Sequence, residues 1–352
     1  SVARATNKQT GIEQFRVAIF IELIGDHPVD TYTGSDLQAF VNALKYWPGS
    51  TKDRVDGMTT EETIIDNLDL HLKPTARKTI EDGYLSIVKT IIKSGTTSHE
   101  YSNPVHGVKI AYPDTAAATI SVESLSAAKI SRILATGVAS GLMDEAMLPL
   151  LGLLTGRRLG LLTYLMGSDI KEKFPGVFVA RTDGIILKDG IWQRVPYKTD
   201  ASLSFFTLHR LFSDIGFIDW ARSIGSDFIF PELQRLEDPS KSASSYMRRL
   251  FERAGIEKSR QEVFHSLRGG FIDNMREAAV DGRSARLQTG HQVGTDEHEL
   301  YGSKALGERT SRELSRMILN PEIDFSVYFE LDFAAMHQKK RTAGKRREGP
   351  PL

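Results

Sequence analysis

Residues 264–301, FHSLRGGFIDNMREAAVDGRSARLQTGHQVGTDEHELY, combine the motif His-x-x-Arg with a later Gly-His pair and a tyrosine. At helical spacing His265 and Arg268 lie about one turn apart on one face, and an imidazole beside a guanidinium suits a site for phosphate oxygens. His291 comes 23 positions after Arg268, and Tyr301 another 10 positions later. Tyr301 follows a polar run, so it is not placed like a core aromatic. His-x-x-Arg alone often arises by chance, whereas the ordered set is much more specific.

This ordered set resembles the C-terminal catalytic motif of the tyrosine recombinases, the phage-integrase family. The resemblance implies that Tyr301 is the nucleophile that forms a 3′-phosphotyrosyl bond with DNA. It further implies that Arg268 stabilises the non-bridging phosphate oxygens, that His265 accepts the tyrosine proton and that His291 donates to a phosphate oxygen. The alternative for this stretch alone is a helix with solvated charges and a packed tyrosine.

A turn with the sequence Thr-Gly-Arg-Arg follows the strongly apolar segment Met143–Thr155, for which we predict a buried helix. T-G-x-R at the end of such a helix resembles the first catalytic arginine of the family, which gives that role to Arg158. Arg157 is the competitor and is expected to be the surface neighbour. Without the family, a salt bridge from Arg158 to an acidic residue is the alternative. Leu161 departs from the pattern, because many members carry there an acidic residue that would help orient the arginines.

Three short segments rich in β-formers, 177–180, 184–187 and 191–197, alternate with glycine-containing turns and predict a small antiparallel sheet. The lysine that follows them, within a Lys-Thr pair, resembles the catalytic lysine of the family. Lys198 is therefore the candidate acid that protonates the departing 5′ oxygen. Lys188 is the second choice, and an ordinary solvated lysine is the alternative for either residue.

Composition sets the outer limits of the interpretation. A chain of 352 residues favours two domains. Its 45 basic and 45 acidic residues balance, so a DNA surface must come from local segregation of charge. The chain has no cysteine, which excludes disulfides and a thiol nucleophile and fits a reducing cytoplasm. A bacterial or phage origin is assumed. No apolar run is long enough for a membrane helix.

We predict a mainly α protein with a small antiparallel β-sheet, that is, an α+β fold. Four helical segments in the first hundred residues resemble the core-binding domain of the recombinases. The expected domains are a helical core-binding domain over 1–100, a linker over 101–121, a catalytic domain over 122–335 and a basic, flexible tail over 336–352.

The segment 323–333 alternates apolar and polar residues with period two, which predicts a half-buried terminal strand. Such a strand must add to a sheet. Two arrangements are open, pairing within its own domain and packing on a neighbouring subunit in a synaptic tetramer, and we favour the second.

Taken together, the resemblance implies a site-specific DNA recombinase or integrase that needs no cofactor and no metal ion, because cationic side chains take the place of the metal. Its expected partners are double-stranded DNA and further copies of the chain in a homotetramer; whether it also needs a helper or directionality protein is open. The alternatives are a strand transferase of the type IB topoisomerase kind and a catalytically weak DNA-binding relative, to which Leu161 points.

Overall fold

The computed structural model describes residues 2–118, 123–188, 190–195, 197, 199–259, 261–294 and 305–341, with only the backbone for residues 2–9. The chain divides into two compact units, 1–120 and 121–352. Each unit has its own hydrophobic core. Lys198 and Tyr301 lie outside the described residues.

The first unit is a small helical bundle. Helix α2 begins at a capping box, in which the Thr33 side chain accepts from the backbone of Asp36 and the Asp36 carboxylate accepts from the backbone of Thr33. Leu37, Phe40 and Val41 then face the core. The helices are α1 Val2–Ile24, α2 Gly34–Ala43, α3 Thr60–Asp66 and α4 Ser86–Ser98, with short 3₁₀ turns at Leu44–Tyr46 and Thr51–Asp53 and a π-helical turn at Thr79–Leu85.

The segment for which we predicted a linker instead packs on this bundle as far as it is described. Val105 is buried in the core of the first unit. The side-chain amide of Gln38 pairs with the backbone of Ala111, accepting from its N–H at 2.9 Å and donating to its carbonyl at 2.8 Å. Small and polar residues suggested a linker, but the few apolar residues among them are enough to fix the segment.

The second unit is built around helix α6, all of whose residues are buried. Its bounds, Met143–Thr155, are those expected from the apolar run. It packs against α5 (Ala127–Ala139) and α12 (Phe264–Glu277). The helices of this unit are α5 Ala127–Ala139, α6 Met143–Thr155, α7 Leu159–Leu162, α8 Leu211–Asp214, α9 Phe217–Ser223, α10 Pro231–Gln234, α11 Pro239–Arg253, α12 Phe264–Glu277, α13 Gly282–Thr289, α14 Glu308–Ser315 and α15 Phe333–Gln338, with 3₁₀ turns at Gly167–Asp169, Asp200–Leu203 and Ser326–Tyr328.

Two small antiparallel sheets complete the second unit. The first has the order β1-β2-β5, with Ile170 opposite Ala180 and Val179 opposite Thr207. The second is the hairpin β3-β4. The strands are β1 Ile170–Phe174, β2 Val177–Ala180, β3 Ile185–Lys188, β4 Ile191–Arg194 and β5 Phe206–Thr207. The hairpin is therefore inserted in the connection between β2 and β5, and Lys198 lies in the same connection, after β4.

The prediction of a terminal strand over 323–333 is wrong. The segment forms a 3₁₀ turn and leads into α15, and its burial does not follow period two. Ile323, Tyr328 and Phe333 are all buried in the core of their own unit, and the Tyr328 hydroxyl, on the face expected to be polar, donates to Ala146 O at 2.7 Å. The segment therefore packs in cis, which overturns the packing on a neighbouring subunit that we favoured.

The first residues of the expected flexible tail are also fixed. Met336 is buried, His337 contacts Phe228 O through Nε2 at 2.9 Å, and Arg341 forms ion pairs with Asp144 and Glu145. Residues 342–352 lie outside the described residues.

The predicted class, mainly α with small antiparallel sheets, is confirmed. Among the described helices, none combines the length and the apolar character that crossing a bilayer requires.

Candidate active site

The turn after α6 sets the directions of two consecutive arginines. Gly156 ends the helix in the left-handed region, with φ 64° and ψ 15°. A side chain here would also collide with Phe271 and Thr289. The reversal of the chain at this glycine sends Arg157 into the protein and leaves Arg158 half-buried at its surface.

Arg157 is buried, with 1% of its surface exposed, and among the described residues its guanidinium donates to backbone carbonyls alone. Nη1 donates to Ser202 O at 3.0 Å. Nη2 donates to Ser204 O at 3.0 Å, Phe205 O at 3.3 Å and Leu287 O at 2.9 Å. Arg157 is thus not the surface neighbour that we expected.

Arg158 lies on the accessible side of the same turn. Its Nη1 donates to the hydroxyl of Ser202 at 3.1 Å and to Gly290 O at 3.2 Å. Its remaining donors have no hydrogen bond to the described residues and are therefore free for another acceptor. No described carboxylate lies within 4.0 Å of this guanidinium, so the described residues give it no salt bridge of the kind that was the alternative.

Helix α12 carries the His-x-x-Arg motif. His265 is exposed in its first turn, whereas Arg268 is 1% exposed and points toward the end of α6. Arg268 Nη1 donates to Gly156 O at 2.5 Å and to Thr289 O at 2.7 Å. Arg268 Nε is buried and has no partner among the described residues.

His291 follows α13 and contacts Arg268 directly. The Thr289 hydroxyl donates to Ala285 O at 2.7 Å, so its oxygen accepts from His291 Nδ1 at 3.0 Å. This leaves Nε2 as the acceptor for Arg268 Nη2 at 2.5 Å. Burial and the charges of Arg268 and Arg158 lower the pKa of His291 to about 4, so the ring is neutral near pH 7.

The electrostatic character of the site follows from three guanidiniums and two imidazoles. Burial and the charge of Arg158 lower the pKa of Arg268 to about 10, which still leaves it protonated at neutral pH. Partial burial and the same two arginines lower the pKa of His265. No carboxylate of the described residues forms an ion pair with Arg157, Arg158 or Arg268. Such a cluster attracts an anion.

A cavity of about 320 Å³ opens beside the arginines, lined by Arg158, Ser202, Tyr197 and Leu161 among others. Leu161 is buried and packs with Tyr164, Ile186 and Val195. The position at which many family members carry an acid is therefore part of an apolar contact with the β3-β4 hairpin.

The structure brings four of the six predicted residues together, namely Arg158, His265, Arg268 and His291. The other two, Lys198 and Tyr301, lie outside the described residues, so their roles stay predictions. The ammonium group of Lys188, the second choice for the catalytic lysine, donates a hydrogen bond to Gln234 O. The described residues contain no group of three or more His, Asp or Glu side chains arranged to hold a metal ion.

Sequence reasoning did not foresee three contributors to this site: the inward direction of Arg157, Ser202 as a partner of both turn arginines, and Thr289 as the residue that fixes the His291 tautomer. For Thr289 a signal was present, because a threonine two positions before a histidine can reach its ring. For Arg157 and Ser202 the contact spans 45 positions, which no local pattern encodes.

The sequence matches no family model and no curated protein. The structure is similar to that of the transposon Tn1549 integrase solved with transposon right-end DNA, with a TM-score of 0.51 and 15% identity, over 87% of this chain and 91% of that one. The same integrase with circular-intermediate DNA gives a TM-score of 0.50 and 14% identity, over 87% and 92%. A lambda integrase dimer bound to a core site gives 0.46 and 17%, over 82% and 89%.

The two similarities to the Tn1549 integrase show the fold: the chain has the architecture of a tyrosine recombinase, as the sequence motif implied.

Proposed function

We propose that the protein is a site-specific DNA recombinase that cuts and rejoins DNA through a 3′-phosphotyrosyl intermediate. The observation that carries the proposal is the convergence of Arg158, Arg268 and His291 at the end of α13, with no described carboxylate to neutralise them. Forked guanidinium donors recognise phosphate oxygens well. The order of the motif residues along the chain and the fold support the same conclusion.

The proposed reaction is a transesterification. The Tyr301 oxygen attacks the scissile phosphorus, its proton passes to His265, and the bond from phosphorus to the 5′ oxygen breaks. Lys198 protonates the departing 5′ oxygen. The products are a 3′-phosphotyrosyl bond and a 5′ hydroxyl, and attack by a 5′ hydroxyl reverses the step. One phosphodiester bond is exchanged for another, so no energy source is needed.

The two arginines would stabilise the transition state. A tyrosine ordinarily has a pKa near 10, so its attack requires a base and a strong positive field. Arg158 and Arg268 would donate to the non-bridging oxygens as these gain charge. A bound phosphate would also raise the pKa of His291, because an anion favours the imidazolium form. His291 would then donate through Nε2 in place of accepting from Arg268.

The proposed partners are double-stranded DNA and further copies of the chain. Strand exchange between two DNA sites requires four cleavages, so we propose a homotetramer on DNA. Phosphate neutralisation predicts that DNA affinity falls with rising salt. A log–log slope near zero would contradict the DNA proposal.

The test is formation of a covalent adduct. The protein is incubated with a pool of nicked duplexes that carry a randomised core, and the products are separated on a denaturing gel. Wild-type protein should retain DNA covalently, and Tyr301→Phe should retain none while it still binds DNA, because only the phenolic oxygen is lost. An adduct with the Tyr301→Phe protein would refute the nucleophile. Relaxation of any supercoiled DNA without strand exchange would instead favour a topoisomerase.

A further inference from the structure

Arg157 is the feature of this site that the proposed mechanism does not use. It is the third guanidinium beside the cluster, it is buried, and its two terminal nitrogens donate to four backbone carbonyls. The guanidinium also lies over the ring of Phe206, with Arg157 Cζ 4.6 Å from the ring centroid. A buried cation without a carboxylate is costly, so its presence calls for a physical explanation.

The carbonyls that accept from Arg157 belong to two separate segments. Ser202, Ser204 and Phe205 are in the loop 199–205, which begins directly after Lys198. Leu287 is in the last turn of α13, which leads into His291. One rigid, planar group therefore ties the connection that carries the proposed acid to the helix end that carries the proposed phosphate donor.

The end of α13 supplies the negative pole that a carboxylate would otherwise provide. Carbonyls in the last turn of a helix have no partner within the helix and carry the negative end of its dipole. Here Leu287 O accepts from Arg157, Thr289 O from Arg268 and Gly290 O from Arg158. Gly290 is required at this point, because its φ is 69° and a Cβ would strike the Arg157 guanidinium.

We propose that Arg157 is a positioning residue, which sets the place of the Lys198 loop relative to Arg158, Arg268 and His291. The chain has Leu161 at the position of an acid that would orient the arginines. In its place, the backbone carbonyls at the end of α13 hold the guanidiniums, and Arg157 holds the loop. The catalytic part of the proposal rests on the proposed function; the tethering does not.

The decisive variant is Arg157→Lys, because lysine keeps the positive charge and loses the planar fork that reaches four carbonyls. Arg157→Met removes both. Arg235→Lys is the matched control, since Arg235 is an exposed arginine whose one ion pair with the described residues is with Glu232, three positions earlier. Thermal unfolding of each variant establishes that it is folded before activity is compared.

The activity arm uses two forms of a nicked site selected as above, one with the ordinary 5′ oxygen and one with a 5′-thio leaving group that needs no acid. Arg157→Lys should slow cleavage of the ordinary site at least tenfold and restore most of that loss on the thio site, as Lys198→Ala should. The double variant Arg157→Lys/Lys198→Ala should be hardly slower than Lys198→Ala alone. Equal slowing of Arg157→Lys on both sites would overturn the positioning role. A wild-type rate for Arg157→Lys together with a slow Arg157→Met would overturn it as well, because the positive charge alone would then explain the effect of Arg157.

A second arm measures the tether without any reaction. Backbone amide hydrogen exchange of residues 199–205 should become at least tenfold faster in Arg157→Lys and stay unchanged in Arg235→Lys. Unchanged exchange in Arg157→Lys would overturn the tether. If wild-type protein forms no adduct while the exchange result holds, the proposed function fails and the tether stands.

Discussion

The two ends of helix α6 hold arginines in opposite ways. At the first turn, Asp144 and Glu145 are buried carboxylates that pair with Arg253 and Arg341. At the last turn, the arginines that approach the helix end donate to backbone carbonyls and to neutral side chains. One helix therefore has a neutralised end and a positively charged end, about 13 residues apart.

The neutralised end is organised for stability. Arg341 Nη2 donates to Asp144 Oδ2 at 2.6 Å and its Nη1 to Glu145 Oε1 at 2.9 Å, and Arg341 also stacks over Tyr246, with Cζ 3.8 Å from the ring centroid. Burial would raise the pKa of Glu145, yet hydrogen bonds from Arg253 and Arg341 hold it below its usual value. These charges satisfy one another, which leaves none for a ligand.

The positive end costs stability and carries the proposed phosphate site. Burial lowers the pKa of Arg157, Arg158 and Arg268, and the charges of neighbouring guanidiniums lower it further for Arg157 and Arg268. None of the three has a described counter-ion. Groups with pKa values perturbed by burial and by like charges are common at functional sites. The number of arginines therefore does not predict their role. The partner of each guanidinium decides whether it stabilises the fold or is available to bind an anion.

The largest effect should come from Arg158→Met. Loss of one strong donor to the transition state should slow adduct formation by about 10²–10³-fold, by analogy with oxyanion donors. The free energy of unfolding should be unchanged or raised, because the change removes repulsion. Single-turnover adduct assays and urea unfolding measure the two. A mild rate effect in a folded Arg158→Met protein would refute the role assigned to Arg158 in the Thr-Gly-Arg-Arg turn. It would also remove the contrast between the two ends of α6.

Arg341→Met should show the reverse pattern. It leaves Asp144 buried without its partner, and breaking a buried pair costs about 3 kcal/mol. Urea unfolding monitored by Trp220, which lies 5.6 Å from Phe333 between ring centroids, measures the loss in this unit. Adduct formation per folded molecule should not change. Lys339→Met is the control, since Lys339 makes an exposed hydrogen bond to Ser140 O and should cost well under 1 kcal/mol.

The pH dependence of stability sharpens the contrast further. The pKa of His291 in the folded protein is about 4, below its unfolded value near 6.5. Its contribution is therefore fully present above about pH 6.5 and is lost as the pH falls toward 4, because the unfolded chain binds the proton first. The loss between pH 6.5 and 4.5 should be on the order of 2 kcal/mol. His291→Gln should remove this part of the slope in urea unfolding; an unchanged slope would contradict a neutral His291.

The contrast between these ends also marks how far the sequence could be interpreted. The bounds of α6 and β2 were predictable, because an apolar run ends at a glycine and a short β-rich run lies between turns. The direction of Arg157 was not, since it depends on the left-handed Gly156 and on carbonyls up to 130 positions away. The terminal segment misled for a local reason: its alternation with period two arises partly because Asp324 and Asp332 cap turns, not because they face solvent from a strand.

The smallest effect, and the one that bears on whether the protein is a weakened relative, should come from Leu161→Glu. Leu161 packs with Tyr164, Ile186 and Val195, so a carboxylate there loses apolar contacts and should cost about 1–2 kcal/mol of stability. If α13 and Arg157 already take over the orienting function, the added acid gains nothing, and by neutralising Arg158 it should lower adduct formation severalfold. Leu161→Gln is the matched control, because it has the same size and no charge. A rate above wild type for Leu161→Glu but not for Leu161→Gln would mean that the arginines lack an acid they need, and that backbone carbonyls are a poor substitute for it.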